Sequence, residues 1–171
     1  MNKSVKIRAL EYRDVKQIAL LANNKKIWNN LRNGMPHPYS ESDATSFIKA
    51  VNDNPLNHVF AIIYEKEFCG VIGLFQQQDV YERSAEIGYW IGEPFWGLGI
   101  ATKAVELILS FGFSELNIVR IYTGIFEHNQ ASMRVLEKNG FIKEAIFKKA
   151  IFKNRMLLDE HRYSKLHPDF D

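Results

Sequence analysis

The sequence predicts a single mixed α/β domain. Three observations point to it: 171 residues suit one sizeable core, the hydrophobic period switches repeatedly between strand-like and helical, and no repeat, low-complexity tract or linker divides the chain. Val5, Ile7 and Ala9 alternate with Lys6 and Arg8, which reads as a half-buried strand. From Arg13 the period changes, because Val15, Ile18, Ala19 and Ala22 share one helical face that Asn23-Asn24 closes. Residues 25–31 are a candidate second short helix. Asn33-Gly34 and the two prolines of Met35-Pro36-His37-Pro38-Tyr39 then force a loop. Ser40-Glu41-Ser42-Asp43 reads as a capping box opening a helix to about residue 51, which Asn52-Asp53-Asn54-Pro55 ends.

Residues 59–64 and 68–75 are apolar, β-branched runs separated by Glu65-Lys66-Glu67, the pattern of an antiparallel hairpin, and residues 84–91 make a further strand. Ala101, Ala104, Val105, Ile108 and Phe111 place a helix over 99–113, followed by β-branched strand character over 118–125. Met133, Val135 and Leu136 mark a helix over 129–139 that stops where Gly140 suits a left-handed cap. Residues 141–152 and 156–166 read as two long strands joined by Lys153-Asn154. The expected order is β-α-α-β-β-β-α-β-α-β-β, one domain over residues 5–167.

Charge and cysteine usage narrow the function. With 22 basic and 20 acidic residues the net charge is +2, so a general polyanion binder is not expected and nucleic acid is not favoured as a partner. Lys148, Lys149, Lys153 and Arg155, at the last hairpin, read as a solvated edge that discourages strand addition, with a nucleic-acid patch as the alternative. Cys69 is the sole cysteine, which excludes a disulfide framework and any CxxC motif. In an apolar strand it reads as a core filler rather than a nucleophile. The five histidines offer no metal spacing such as HExxH, so no metal is expected. No long apolar core follows Met1-Asn2-Lys3-Ser4-Val5-Lys6, and no run approaches the roughly 18 apolar residues of a membrane span, so a cytoplasmic protein without a membrane partner is expected.

The chemistry gathers around residues 86–102. Gly97 and Gly99 lie between a strand and a helix, where bare backbone can approach a ligand and the helix adds unsatisfied amides and its positive end. Together these make an anion site; a tight turn with no ligand is the alternative that glycine content alone leaves open. Two familiar phosphate loops fail. No Gly-Lys-Ser or Gly-Lys-Thr occurs for a Walker A motif, and Gly97-Leu98-Gly99-Ile100-Ala101 is followed by Thr102 where a dinucleotide fingerprint needs its third glycine or alanine.

Ala85-Glu86-Ile87-Gly88-Tyr89-Trp90-Ile91, with Glu93-Pro94-Phe95-Trp96-Gly97-Leu98-Gly99-Ile100-Ala101-Thr102, resembles motif A of the GNAT acetyltransferases, and more narrowly the RimJ/RimL-like branch. Gly99 and Ala101 match the last two positions of the family's Q/R-x-x-G-x-G/A loop. Trp96 stands where glutamine or arginine is usual, which leaves a main-chain cradle intact. Glu127-His128-Asn129-Gln130-Ala131-Ser132 with Leu136-Glu137-Lys138-Asn139-Gly140-Phe141 resembles the family's second CoA-contacting helix and the strand after it.

The resemblance implies the GNAT fold, a mixed and mostly antiparallel central sheet flanked by helices, in an enzyme that transfers acetyl directly from acetyl-CoA to a primary amine. The acceptor would be a protein N-terminal α-amine or a small-molecule amine, and the protein a monomer or homodimer. It implies that Ile87, Gly88, Tyr89, Trp90, Gly97, Leu98, Gly99, Ile100, Ala101, Thr102, Asn129 and Ser132 bind the co-substrate. Direct transfer needs a base for the ammonium proton, donors for the developing oxyanion and an acid for the sulfur. Glu86 is the candidate base; a strand residue paired with Arg83 or a lysine across the sheet is the alternative. Backbone amides around Tyr89 would meet the oxyanion, and Ser132 matches a serine proposed as acid in RimL-like enzymes, or simply bonds a backbone group in its helical turn. Asn129 contacts CoA, caps its helix, or does both. Trp28, Arg32, His37 and Tyr39 lie where the family walls its acceptor pocket, or form an aromatic loop packed on the helices. A non-catalytic acyl-CoA-binding or interaction module of the same fold is the rival reading.

Overall fold

In residues 4–170, which the computed structural model describes, seven strands form one sheet and five α-helices cover it. The elements run β1 (Val5–Ala9), α1 (Val15–Ala22), α2 (Lys25–Trp28), α3 (Glu41–Asp53), β2 (Asn57–Tyr64), β3 (Glu67–Gln76) and β4 (Ser84–Ile91). After these come α4 (Ile100–Glu115), β5 (Arg120–Phe126), α5 (Gln130–Lys138), β6 (Ile142–Lys153) and β7 (Met156–Leu166). The strand order in the sheet is β1-β2-β3-β4-β5-β7-β6, antiparallel everywhere except between β4 and β5.

The predicted element order holds, with one addition before β2. The short helix α2 is a single turn, fixed by the Asn24 side chain accepting the Lys26 N–H at 2.8 Å, so three helices stand where the expected order has two. The first helix begins at Val15, the first apolar position of its period, two residues after the change of pattern at Arg13. Residues 12–14 form a tight 3₁₀ turn, and buried Asp14 takes both guanidinium nitrogens of Arg8 at 2.7 Å, pinning the corner between β1 and α1. The capping box at α3 is present as read: the Ser40 hydroxyl accepts the Asp43 N–H, and the Asp43 carboxylate accepts the Ser40 N–H at 2.8 Å.

Both faces of the sheet are covered, which is why β3 reads as an almost continuous apolar run rather than an alternation. On one face Ile72, Leu74, Ala85, Ile87 and Ile121 pack against Ile100, Ala104, Val105 and Ile108 of α4 and Met133 and Leu136 of α5. On the other, Val59, Ala61 and Val71 pack under Ile18, Ala19 and Ala22 of α1 and Ala44, Ile48 and Val51 of α3. Each fully buried isoleucine or leucine contributes on the order of 1.5–3 kcal/mol. Cys69 is buried in the first cluster with its thiol on the Ile62 carbonyl at 3.2 Å, and burial pushes its pKa up to about 12.

One departure from a continuous sheet positions everything that follows. The strands β4 and β5 pair only over Ser84–Arg120, Ala85–Ile121 and Glu86–Tyr122. Beyond Glu86, β4 stays with β3 as far as Ile91 while β5 stays with β7 as far as Phe126. The two strands therefore part, and a notch opens between them.

Candidate active site

At the wide end of the notch the chain makes a tight turn after β4 and enters α4. Gly97 and Gly99 have φ of +77° and +76°, a left-handed conformation in which other residues are strained. No heavy atom lies near the space a side chain would fill at either, so backbone conformation alone calls for glycine there. The first bond of the helix runs from the Lys103 N–H to the Gly99 carbonyl at 3.2 Å, which leaves the amides of Ile100, Ala101 and Thr102 with no partner inside the helix. They line the cleft together with Gly97 and Gly99. The Ile100 side chain points into the core, 1% exposed, so it offers its amide alone; Leu98 is exposed and lies outside the lining. Trp96 takes the Ile91 carbonyl with its indole N–H at 2.7 Å, bracing the loop against the end of β4.

Along the notch, the Gly92 N–H donates to the Cys69 carbonyl at 2.8 Å. By alternation the peptide groups of Ile87, Tyr89 and Ile91 then face away from β3, toward the open side where β5 has left. Ile87, Gly88, Tyr89 and Trp90 all line the cleft, although the Ile87 side chain is buried in the core. From the far wall, the Asn129 side chain accepts the Ser132 N–H at 3.2 Å and so caps α5, and both residues also line the cleft. The Tyr89 and Ser132 hydroxyls meet across the gap at 2.7 Å. Burial pushes the Tyr89 hydroxyl up to about 12, so it keeps its proton at neutral pH.

Glu86 sits at the apex, beside Phe75 on β3 and Tyr122 on β5. Its partner is neither Arg83, which binds Asn117, nor a lysine across the sheet, but Arg32 from the loop after α2. Both guanidinium nitrogens reach the carboxylate, one of them at 3.2 Å. Burial works against the Arg32 charge, yet the Glu86 hydrogen bond and charge, helped by Glu160, more than offset it and hold the guanidinium above its ordinary value.

The loop carrying Arg32 is organised by residues that were candidates for the pocket wall. The Trp28 indole N–H donates to the Met35 carbonyl at 2.9 Å, and its ring stacks near His37. Tyr39 and Arg32 line the cleft; Trp28 and His37 do not. Lys153 corrects the reading of the last hairpin as a wholly solvated edge. It is 3% exposed, its ammonium sits 3.5 Å from the Trp28 ring centroid, and it donates to the Asn33 side chain at 2.9 Å. Burial lowers its pKa. Lys148 and Lys149 stay at the surface, paired with Asp159.

The resulting cleft measures about 1260 Å³ and joins the amide-lined turn, the Tyr89–Ser132 pair and the Glu86–Arg32 pair in one space. Sequence reading missed several of its walls. Thr123 to Phe126 of β5 became lining only because the strands part, and Gly73 and Phe75 because the cavity continues under the helices. Arg134 and Lys138 had a signal: they stand four residues apart on the helix that carries Ser132, one turn-related face of cations beside an anion cradle. Among the described residues no group of three histidine, cysteine, aspartate or glutamate side chains could hold a metal ion. An arrangement of free amides, a protonated hydroxyl pair and a carboxylate in one cleft suits acyl transfer.

Comparison with known proteins agrees with this geometry. The family model described as an acetyltransferase (GNAT) domain matches residues 4–142. The probable N-acetyltransferase YjcK of Bacillus subtilis (strain 168) is 40% identical over 100 residues, spanning 58% of this chain and 55% of that protein. The ribosomal-protein-serine acetyltransferase of Escherichia coli (strain K12) is 27% identical over 97% of this chain and 94% of its own length. The crystal structure of spermidine N-acetyltransferase from Vibrio cholerae in complex with CoA and spermine superposes with a TM-score of 0.83 at 25% identity, covering 95% of each chain. Motif, parted sheet and whole-chain likeness agree, and this chain belongs to the GNAT family of N-acetyltransferases.

Proposed function

We propose that the unit over residues 5–167 transfers the acetyl group of acetyl-CoA directly to a primary amine, with Glu86 receiving the ammonium proton and the Tyr89–Ser132 pair serving the departing sulfur. The observation that carries this reading is the placement of that 2.7 Å hydroxyl pair across the notch, between the free amides at the start of α4 and the Glu86 carboxylate. The amides of Ile100, Ala101 and Thr102, with the positive end of α4, would hold the pyrophosphate, and Arg134 and Lys138 would add charge. The outward peptide groups of Ile87 and Tyr89 would pair with the pantetheine amides as a missing strand would, the Tyr89 N–H lying toward the reacting carbonyl. Acetyl-CoA supplies an activated thioester, so no metal chemistry is required.

On the acceptor side, Glu86 strips the proton that blocks the amine lone pair. The new C–N bond forms as the C–S bond breaks, and the sulfur takes a hydrogen bond and then a proton from the Tyr89 hydroxyl; solvent returns a proton to Tyr89 through the Ser132 hydroxyl, which gives one proton as it takes one, and Glu86 releases its proton to solvent. Arg32 aims the Glu86 carboxylate through both guanidinium nitrogens. The neighbours in the family support an amine acceptor: one acts on a ribosomal protein, and another was crystallised with spermine. A cytoplasmic location fits a chain in which no described helix is long and apolar enough to cross a membrane. The test is calorimetric titration with acetyl-CoA followed by thiol release with an amine panel. Saturable binding and amine-dependent thiol release are expected; absence of acetyl-CoA binding would sink the reading.

A further inference from the structure

The cleft extends beyond its donor half. Part of the wall of its roughly 1260 Å³ belongs to the core. Ile18, Ile27, Tyr39, Phe47, Val59 and Val71 all line it, and all but Phe47 are no more than 8% exposed, so the cavity runs beneath α1 and α3 down to the sheet. It reaches the sheet because Gly73 and Gly88 face one another across β3 and β4, removing two side chains from the face those helices cover. A methyl group on Gly88 would come within 3.4 Å only of the Phe75 ring, and one on Gly73 would collide with Val59 at 2.8 Å. The floor is therefore a shallow apolar dish, two residues along the strand from Glu86.

Charge in this arm is sparse. Glu86 is paired with Arg32, and Asp43 is held by the Ser40 amide and hydroxyl at 2.8 and 2.6 Å. Among the described residues of its wall the carboxylates are therefore two, Glu86 and Asp43, a sparse set for a polyamine with several ammonium groups. Resting on the acetyltransferase reading above, we propose that the acceptor is a primary amine carried next to an aliphatic or aromatic side chain, which this chamber takes up while Glu86 meets the amine. Such chemistry is offered by a free amine of that shape or by the first residue of a peptide. The Tyr39 hydroxyl, kept neutral because burial and the nearby Asp43 charge push it up to about 12, adds one buried polar group to that wall, beside Asp43 and Ser46.

The experiment compares L-phenylalaninamide, L-leucinamide, glycinamide and spermidine as acceptors, with acetyl-CoA binding measured in parallel. The expected kcat/KM for phenylalaninamide is about tenfold or more above that for glycinamide or spermidine, the discrimination an apolar pocket provides. Phe47→Ala should shift the phenylalaninamide-to-leucinamide ratio toward the larger side chain and Phe47→Trp toward the smaller; a ratio is read from the folded fraction only. A peptide beginning with phenylalanine outpacing the amide marks a peptide source, and the reverse marks a small molecule. Glycinamide or spermidine matching phenylalaninamide would overturn the chamber and leave the acetyltransferase reading standing. The chamber is likewise overturned if acetyl-CoA binds but phenylalaninamide is neither acetylated nor bound in calorimetry with CoA present. Failure of acetyl-CoA itself to bind would instead overturn the donor reading and the chamber with it.

Discussion

The two halves of the cleft are built from different materials. The donor half is backbone: two glycines at positive φ, three free amides at the start of α4 and the outward peptide groups of β4. The acceptor half is side chains gathered from afar: Arg32 reaches Glu86 across 54 positions of sequence, and Lys153 reaches Asn33 across 120. A backbone site tolerates exchange of most side chains around it and fails only when the local conformation is lost. A side-chain site fails one residue at a time, and each failure should leave the other half working.

Four substitutions break or sharpen that contrast. Glu86→Gln has the largest expected effect: it keeps the shape, removes the proposed base and leaves Arg32 without its charge partner. The kcat/KM for the amine should drop about 100-fold or more, within the range general-base catalysis supplies, while calorimetric affinity for acetyl-CoA stays within about twofold. A parallel collapse of acetyl-CoA binding would dissolve the distinction between the halves.

Tyr89→Phe comes next, because it removes one hydroxyl of the pair that bridges both sides. The expected loss is about 10–50-fold in kcat with little change in either KM. Its pH behaviour follows from the direction of the shift. Burial raises the Tyr89 pKa, so the proton-bearing form persists upward, and no alkaline fall in wild-type kcat from this group is expected between about pH 7 and 10. An alkaline limb in that range that vanishes in Tyr89→Phe would contradict the assignment.

Gly99→Ala tests the donor half alone. The left-handed backbone there costs a non-glycine residue about 1–2 kcal/mol, so initial-rate kinetics should show KM for acetyl-CoA rising about tenfold and acceptor KM unmoved. Lys153→Met is the gentlest. It removes a cation–π contact worth about 0.5–2 kcal/mol and frees the loop that carries Arg32. The acceptor KM should rise about threefold, with acetyl-CoA KM constant. Because burial lowers the Lys153 pKa, the charged form is the less favoured one when folded. The wild type should therefore gain stability as pH climbs from that lowered value towards the ordinary 10.5, and the variant should lack that gain in thermal melts.

Much of the architecture was legible in the sequence. The strand over 84–91, the capping box at Ser40, the left-handed stop at Gly140 and the cap at Asn129 all follow from residues within a few positions of each other. Other features resisted for an identifiable reason. The change of pattern falls at Arg13 and the apolar face at Val15, where α1 begins, but the tight turn over residues 12–14 held by the Arg8–Asp14 pair has no signature in the spacing. A run of lysines read as a solvated edge, yet Lys153 is taken from it by an aromatic ring far back in the chain. Nothing in the local pattern around Trp28 or Lys153 announces that meeting.

What the sequence determined by itself was the element order, the family motif and the glycine turn, because each depends on short-range backbone preference: a glycine adopts positive φ wherever its neighbours are, and a cap closes on its own helix. What only the tertiary structure decided was the parting of β4 from β5, the pairing of Glu86 with Arg32 and the hollow over Gly73 and Gly88. Those depend on which strand each segment stays paired with and on which loop packs over which face. Such choices are settled by contacts between distant residues, and a linear pattern does not encode them one position at a time.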